Sequence, residues 1–149
     1  MPKPRLRVAK PSAPDRLFVD SGAWLALFSA RDQHHLEADA LFREAVSRRI
    51  PLVTTNLVLA EVHRLLLYRA GIAPAARALL TLEKSEHLRI EFAAKPLHQA
   101  ALAWLARLGD QQITYTDAVS FAVMDAEKCR TALSFDADFT IAGFQLFQR

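Results

Sequence analysis

Glycine is scarce in this chain, with four in 149 residues. None is spaced as in a loop that cradles phosphates with its backbone, which excludes the common nucleotide-binding glycine motifs. Cysteine is scarcer still. Cys129 stands alone, so no internal disulfide can form, and a reducing cytoplasm is the expected setting. No Cys/His pair has zinc-ligand spacing, and no Ser, His and Asp fall in a triad order. No stretch reaches the roughly 18 uncharged apolar residues that cross a bilayer, so no membrane association is expected. The opening "MPKPRLRVAKPSAPDR" is basic but has no apolar run behind it, unlike a secretory signal. The chain also lacks repeats and low-complexity blocks.

What is present fits one globular domain. Hydrophobic residues make up 52% and charged residues 23%, ordinary values for a packed core with a polar surface. The charge is uneven. Residues 1–16 hold Lys3, Arg5, Arg7, Lys10 and Arg16 against Asp15, while the rest has 14 basic and 15 acidic residues. The basic character therefore belongs to the first 16 residues. They also carry Pro2, Pro4, Pro11 and Pro14, four of the seven prolines. Such a segment cannot be regular helix and has little to bury, so a flexible arm is expected, either simply solvated or contacting phosphates. The globular domain is expected over 17–149.

Along that domain, apolar runs alternate with helical periods. Short strands are expected at about 17–20, in "PLVT", in "HLRIEF", in "TALSF" and in "FQLF". Between them lie helical segments. "TTNLVLAEVHRLLLYRAG" ends on a glycine suited to a helix C-cap, and "KPLHQAALAWLARLG" has Pro96 in its first turn. "TDAVSFAVMDAEKC" begins with threonine or aspartate as a cap. Alternation of this kind implies a parallel sheet covered by helices. In such sheets ligands bind beyond the carboxyl ends of the strands.

Four carboxylates are poorly explained as solvated surface. Asp20 and Asp136 follow buried strands directly. Glu61 lies in the most apolar helix, with Leu57, Val58 and Leu65 among its same-face neighbours. Asp117 opens a helix that continues with Phe121, Val123 and Met124. Each has an ordinary alternative as a cap, a turn residue or an ion-pair partner. Caps and turns do not explain why all four should border one sheet edge. Like charges at 4 Å cost up to about 4 kcal/mol per pair, so such a cluster needs protonation or a cation. Oxygen donors alone suit Mg²⁺ or Mn²⁺. A divalent ion in an acidic pocket suits hydrolysis of a phosphodiester. His34 and His35 are adjacent and point about 100° apart on a helix, and with His63, His87 and His98 they read as surface or core histidines.

The segments "FVDSGAWLALF", "TTNLVLAEVHRLL", "ITYTDAVSFAVM" and "ALSFDADF" resemble the PIN domain in order, content and spacing, and within it the VapC-like ribonucleases of toxin–antitoxin pairs. The resemblance covers about Leu17 to Phe147. "LFSARDQHHLEA" adds modest support. It implies a three-layer α/β/α sandwich with a central parallel sheet and Mg²⁺- or Mn²⁺-dependent cleavage of single-stranded or structured RNA. It also implies a homodimer and a cognate antitoxin. By position it makes Asp20, Glu61, Asp117 and Asp136 catalytic, with Asp20, Asp117 and Asp136 on the metal. Ser21, Thr116 and Asp138 become accessory. The basic arm departs from the pattern, since VapC-like chains begin almost at their first strand. A PIN fold serving as an RNA-binding or regulatory module with little catalysis is the alternative. A phosphatase or phospho-acceptor reading of "FDADF" fails because only 11 residues follow Asp138. A third rival is a non-enzymatic α/β domain whose acids are ordinary caps.

Overall fold

The computed structural model describes residues 12–149. Most of the basic arm, residues 1–11, lies outside the described residues. Residues 12–16 form no helix or strand, and Arg16 is tied to the body. Its guanidinium meets Glu127 at 2.7 Å, and its carbonyl accepts from the Cys129 thiol.

The chain then runs β1 (Leu17–Val19), α1 (Ser21–Phe28), α2 (His35–Ser47), β2 (Leu52–Thr55), α3 (Asn56–Ala70) and α4 (Ile72–Glu83). It continues through β3 (Leu88–Glu91), α5 (Lys95–Arg107), α6 (Tyr115–Ala126), β4 (Thr131–Leu133), α7 (Asp138–Ile141) and β5 (Gln145–Leu146). The expected elements are present, with ends shifted by a residue or a few. The addition is α7, whose four residues are too short to show a helical period.

All five strands are parallel, in the order β3-β2-β1-β4-β5. Helices flank the sheet and make the three-layer α/β/α sandwich. Leu17, Phe18 and Val19 have no exposed surface, as a central parallel strand covered on both faces requires. Phe18 packs toward Phe139 at 6.1 Å between ring centroids, and Phe121 meets Phe139 edge-on at 5.1 Å. Trp24 and Phe42 pack at 4.9 Å. Fully burying one such ring contributes about 1.5–3 kcal/mol.

Local chemistry sets the helix ends. The Thr55 hydroxyl accepts from the Val58 N–H at 3.1 Å and starts α3. Gly71 stops it with φ 96°, where a side chain would be strained. Thr114, not Thr116 or Asp117, caps α6, its hydroxyl accepting from the Asp117 N–H at 3.1 Å. Asp117 through Met124 are all buried, so α6 is enclosed on every side.

The chain enters the sheet at its centre, builds β2 and β3 toward one edge, and returns past β1 to build β4 and β5. Connections therefore diverge between β1 and β4. At such a switch point the loops after the two strands part and leave a crevice.

Candidate active site

Strand register brings the first two acids together. Phe18 pairs with Ala132 and Val19 with Leu133. The next residue on each strand is Asp20 and Ser134, and the Asp20 N–H donates to the Leu133 carbonyl at 3.2 Å. The Ser134 hydroxyl donates to Asp20 Oδ2 at 3.1 Å and accepts from the Asp136 N–H at 3.0 Å. One buried serine thus holds two acids that lie 116 positions apart in the chain. Ser21 donates to Asp20 Oδ1 at 3.5 Å. Asp20 occupies the cap position of α1 but makes no capping hydrogen bond with its side chain. Its carboxylate is thus left to face the crevice, and the ordinary reading as a helix cap falls away.

A cavity of about 400 Å³ opens here, lined by Asp20, Ser21, Glu61, Leu65, Phe135 and Asp136 among others. Glu61 and Leu65 are one turn apart on α3, while Val58, Val62 and Leu66 are buried in the core. Asp117, Asp136 and Asp138 each present a carboxylate oxygen within 4.8 Å of the other two. Asp138 is held by its own N–H, which donates to Asp136 Oδ1 at 2.9 Å and starts α7. The family resemblance makes Asp138 accessory, but in space it stands with Asp117 and Asp136 in one acidic group. Thr116 is half-buried in the first turn of α6. Its carbonyl accepts from Ser120, and it does not line the cavity. Ser134 and the cap Thr114 escaped the sequence reading. The only signal for Ser134 was a polar residue at the end of an apolar strand.

The electrostatics follow from this crowding. Burial, then the Asp117 charge, pushes the Asp20 carboxyl up to about 7, against hydrogen bonds from Ser21 and Ser134 that pull it down. Burial pushes Asp117 up to about 6, with Asp136 and Asp138 adding repulsion and Thr114 opposing it. Asp138 is also raised, by burial and by Asp136. These are carboxylates held where their negative charge is unfavourable, the arrangement that a bound cation would relieve. Their donors are oxygens alone, which fits a hard divalent ion.

A fold with this strand order and an acidic switch point defines a class, and comparison with known proteins agrees. The PIN domain model matches residues 17–145, and the chain belongs to that family, in its VapC-like branch. It is 37% identical over 132 residues to the 23S rRNA-specific endonuclease VapC20 of Mycobacterium tuberculosis, covering 86% of this chain and 95% of that one. It is 30% identical over 125 residues to a VapC ribonuclease of Archaeoglobus fulgidus, covering 83% and 78%. The crystal structure of Mycobacterium tuberculosis VapC20, described as a sarcin–ricin loop cleaving toxin, superposes with a TM-score of 0.79 at 35% identity. That match covers 86% of this chain and 95% of the other.

Proposed function

We propose that this protein is an endoribonuclease that hydrolyses RNA phosphodiester bonds with Mg²⁺ or Mn²⁺, and that it is the toxin of a toxin–antitoxin pair. The observation that carries the reading is the crowding of Asp20, Asp117, Asp136 and Asp138 beyond β1 and β4, with two carboxyls raised to about 7 and about 6. Asp20, Asp117 and Asp136 would hold the ion, with Asp138 beside them. When bound, such an ion acidifies a water and offsets charge on the phosphoryl oxygens. Ser134 keeps Asp20 and Asp136 in fixed orientation, as supporting hydrogen bonds do for ligands generally. Glu61, across the cavity and outside the tight group, orients the attacking water and accepts its proton on a carboxylate oxygen. Ser21 steadies Asp20, and Thr116 stands beside Asp117 in an accessory place.

The substrate is RNA, and a structured loop such as the one cleaved by the Mycobacterium tuberculosis relative is the first candidate. A cognate antitoxin is the regulating partner. A second copy of the chain is the expected neighbour for apolar surface such as Tyr68, Ile72 and Phe92, which are 81%, 80% and 66% exposed. No described helix is long and apolar enough to cross a membrane, and the single, buried Cys129 suits the cytoplasm. Residues 1–16 stand as a basic, proline-rich arm ahead of the nuclease domain at 17–149.

The test is cleavage of a sarcin–ricin loop hairpin and of a single-stranded RNA, with Mn²⁺, with Mg²⁺ and with EDTA. Metal-dependent cutting by the wild type and none by Asp117→Asn is the expected result. Cutting that survives EDTA, or that Asp117→Asn retains, would overturn the acidic-site mechanism.

A further inference from the structure

The two adjacent histidines at the start of α2 have different surroundings. His35 Nδ1 lies 2.7 Å from the Ala26 carbonyl and ties the start of α2 to α1. His34 has its backbone fixed instead. Its N–H donates to Asp32 Oδ1 at 2.9 Å, and Arg69 holds Asp32 at 3.5 Å. Among the described residues the His34 ring makes no hydrogen bond, and Glu37 stands 4.0 Å from it. The ring lies flat on Phe135, with centroids 4.3 Å apart and planes inclined by 6°. The other aromatic pairs among the described residues are wider, from 4.9 to 6.3 Å, and inclined by 23° to 88°. Most of these pairs fill irregular space in the core, as aromatic side chains ordinarily do, while His98 and Tyr115 meet edge-on at the surface.

The flat pair sits elsewhere. Phe135 separates Ser134 from Asp136 and forms a wall of the acidic cavity. The His34 side chain is 40% exposed, so the ring is accessible to solvent beside the Phe135 wall of the cavity. A planar surface at the mouth of an acidic cavity matches a need of the proposed reaction. Carboxylates repel phosphate, and beyond the arm the body carries no excess of positive charge. Binding energy for RNA must therefore come partly from contacts that ignore charge. Stacking of an unpaired base on an aromatic plane is such a contact.

We propose that the His34–Phe135 stack is a nucleobase subsite, holding the base next to the scissile phosphate while that phosphate faces Asp20 and Asp136. This rests on the ribonuclease reading of the cavity, and the experiment separates the two. The probe is the sarcin–ricin loop hairpin carrying 2-aminopurine at loop positions in turn, mixed with full-length protein in EDTA. Stacking is read as quenching of its fluorescence, without catalysis. Wild type should quench at one position, His34→Ala should not, and His34→Tyr should restore quenching. In metal, His34→Ala should raise KM by about 5- to 150-fold with kcat kept, the range expected for one stacked base. Unchanged quenching and KM in His34→Ala, or failure of His34→Tyr to restore them, overturns the subsite. Cleavage with no quenching at any position removes the subsite and leaves the ribonuclease. Quenching that depends on His34, without cleavage in any metal, supports the subsite in a protein that only binds RNA. Neither cleavage nor quenching removes both.

Discussion

At the end of the sheet where the strands begin, Glu127 has a side chain only 12% exposed, yet two guanidiniums attend it. Arg16 stands 2.7 Å from Oε2, and Arg89 meets the same oxygen. At the end where the strands finish, Asp20 is buried and meets Asp117 and Asp136 instead of a cation. Glu127 is largely enclosed and compensated, whereas Asp20 and Asp117 are buried and crowded. Burial of a charge alone therefore does not mark a functional site here. Burial among like charges does, because folding alone gives no reason to keep such an arrangement. Cavity size points the wrong way. The larger space, about 640 Å³, lies at the beginning end between Arg16, Ile50, Leu52 and Arg89. It has no comparable group of acids, and two of its cations are already paired with Glu127.

The sharpest way to break this contrast is to neutralise one acid at each end. Asp117→Asn should reduce RNA cleavage to the background seen in EDTA, while Glu127→Gln should leave the cleavage rate unchanged. Equal loss in both variants would erase the distinction.

The next effect is on stability. Asp20 and Asp117 have folded-state values of about 7 and about 6, above the ordinary 3.8. The folded protein thus binds more protons than the unfolded chain across that interval, and stability falls as pH rises from about 4 to about 7. For Asp20 the loss is roughly 4 kcal/mol. Thermal unfolding in EDTA from pH 4 to pH 8 should show the decline. Mn²⁺ should reverse it at pH 8, and Asp20→Asn should remove the larger part of it, leaving the Asp117 share. A level profile for the wild type would mean that the acids are not in conflict.

A smaller change should follow at the serine between the two acids. Ser134→Ala removes the donor to Asp20 and the acceptor for the Asp136 N–H. Metal affinity, measured by calorimetry, should drop about 10- to 100-fold, the usual cost of losing a supporting hydrogen bond. The smallest effect belongs to the compensated end. Glu127→Gln should cost about 1 kcal/mol in urea unfolding, because both arginines are partly exposed and water screens them once the carboxylate is gone.

Much of this was legible in the residues. The helix ending at Gly71, the run of buried strand residues Leu17–Val19 and the placement of Asp20, Glu61, Asp117 and Asp136 follow from patterns within a few neighbours. Where reading failed, the signal was short or distant. The sequence does not single out Thr114 as the cap of α6, because Thr116 and Asp117 offer equally good local chemistry and only the backbone path chooses between them. The role of Phe135 was hidden because an apolar residue after a strand looks like any core residue. His34 and His35 look equivalent in sequence, since one meets the Ala26 carbonyl of the preceding helix and the other the ring of Phe135, far along the chain.

By itself the sequence determined the elements and their alternation, because helical period, strand hydrophobicity and capping act between residues within about four positions of each other. It also determined that acids follow the strands. Only the tertiary structure decided which acids meet. The register of β1 on β4 sets Asp20 beside Ser134 across 114 positions of chain, and the turn into α7 moves Asp138 into the group with Asp117 and Asp136. The physical reason is that parallel strands pair through crossovers, so their register depends on how the helices between them pack and leaves no mark in the residues on either side of the site.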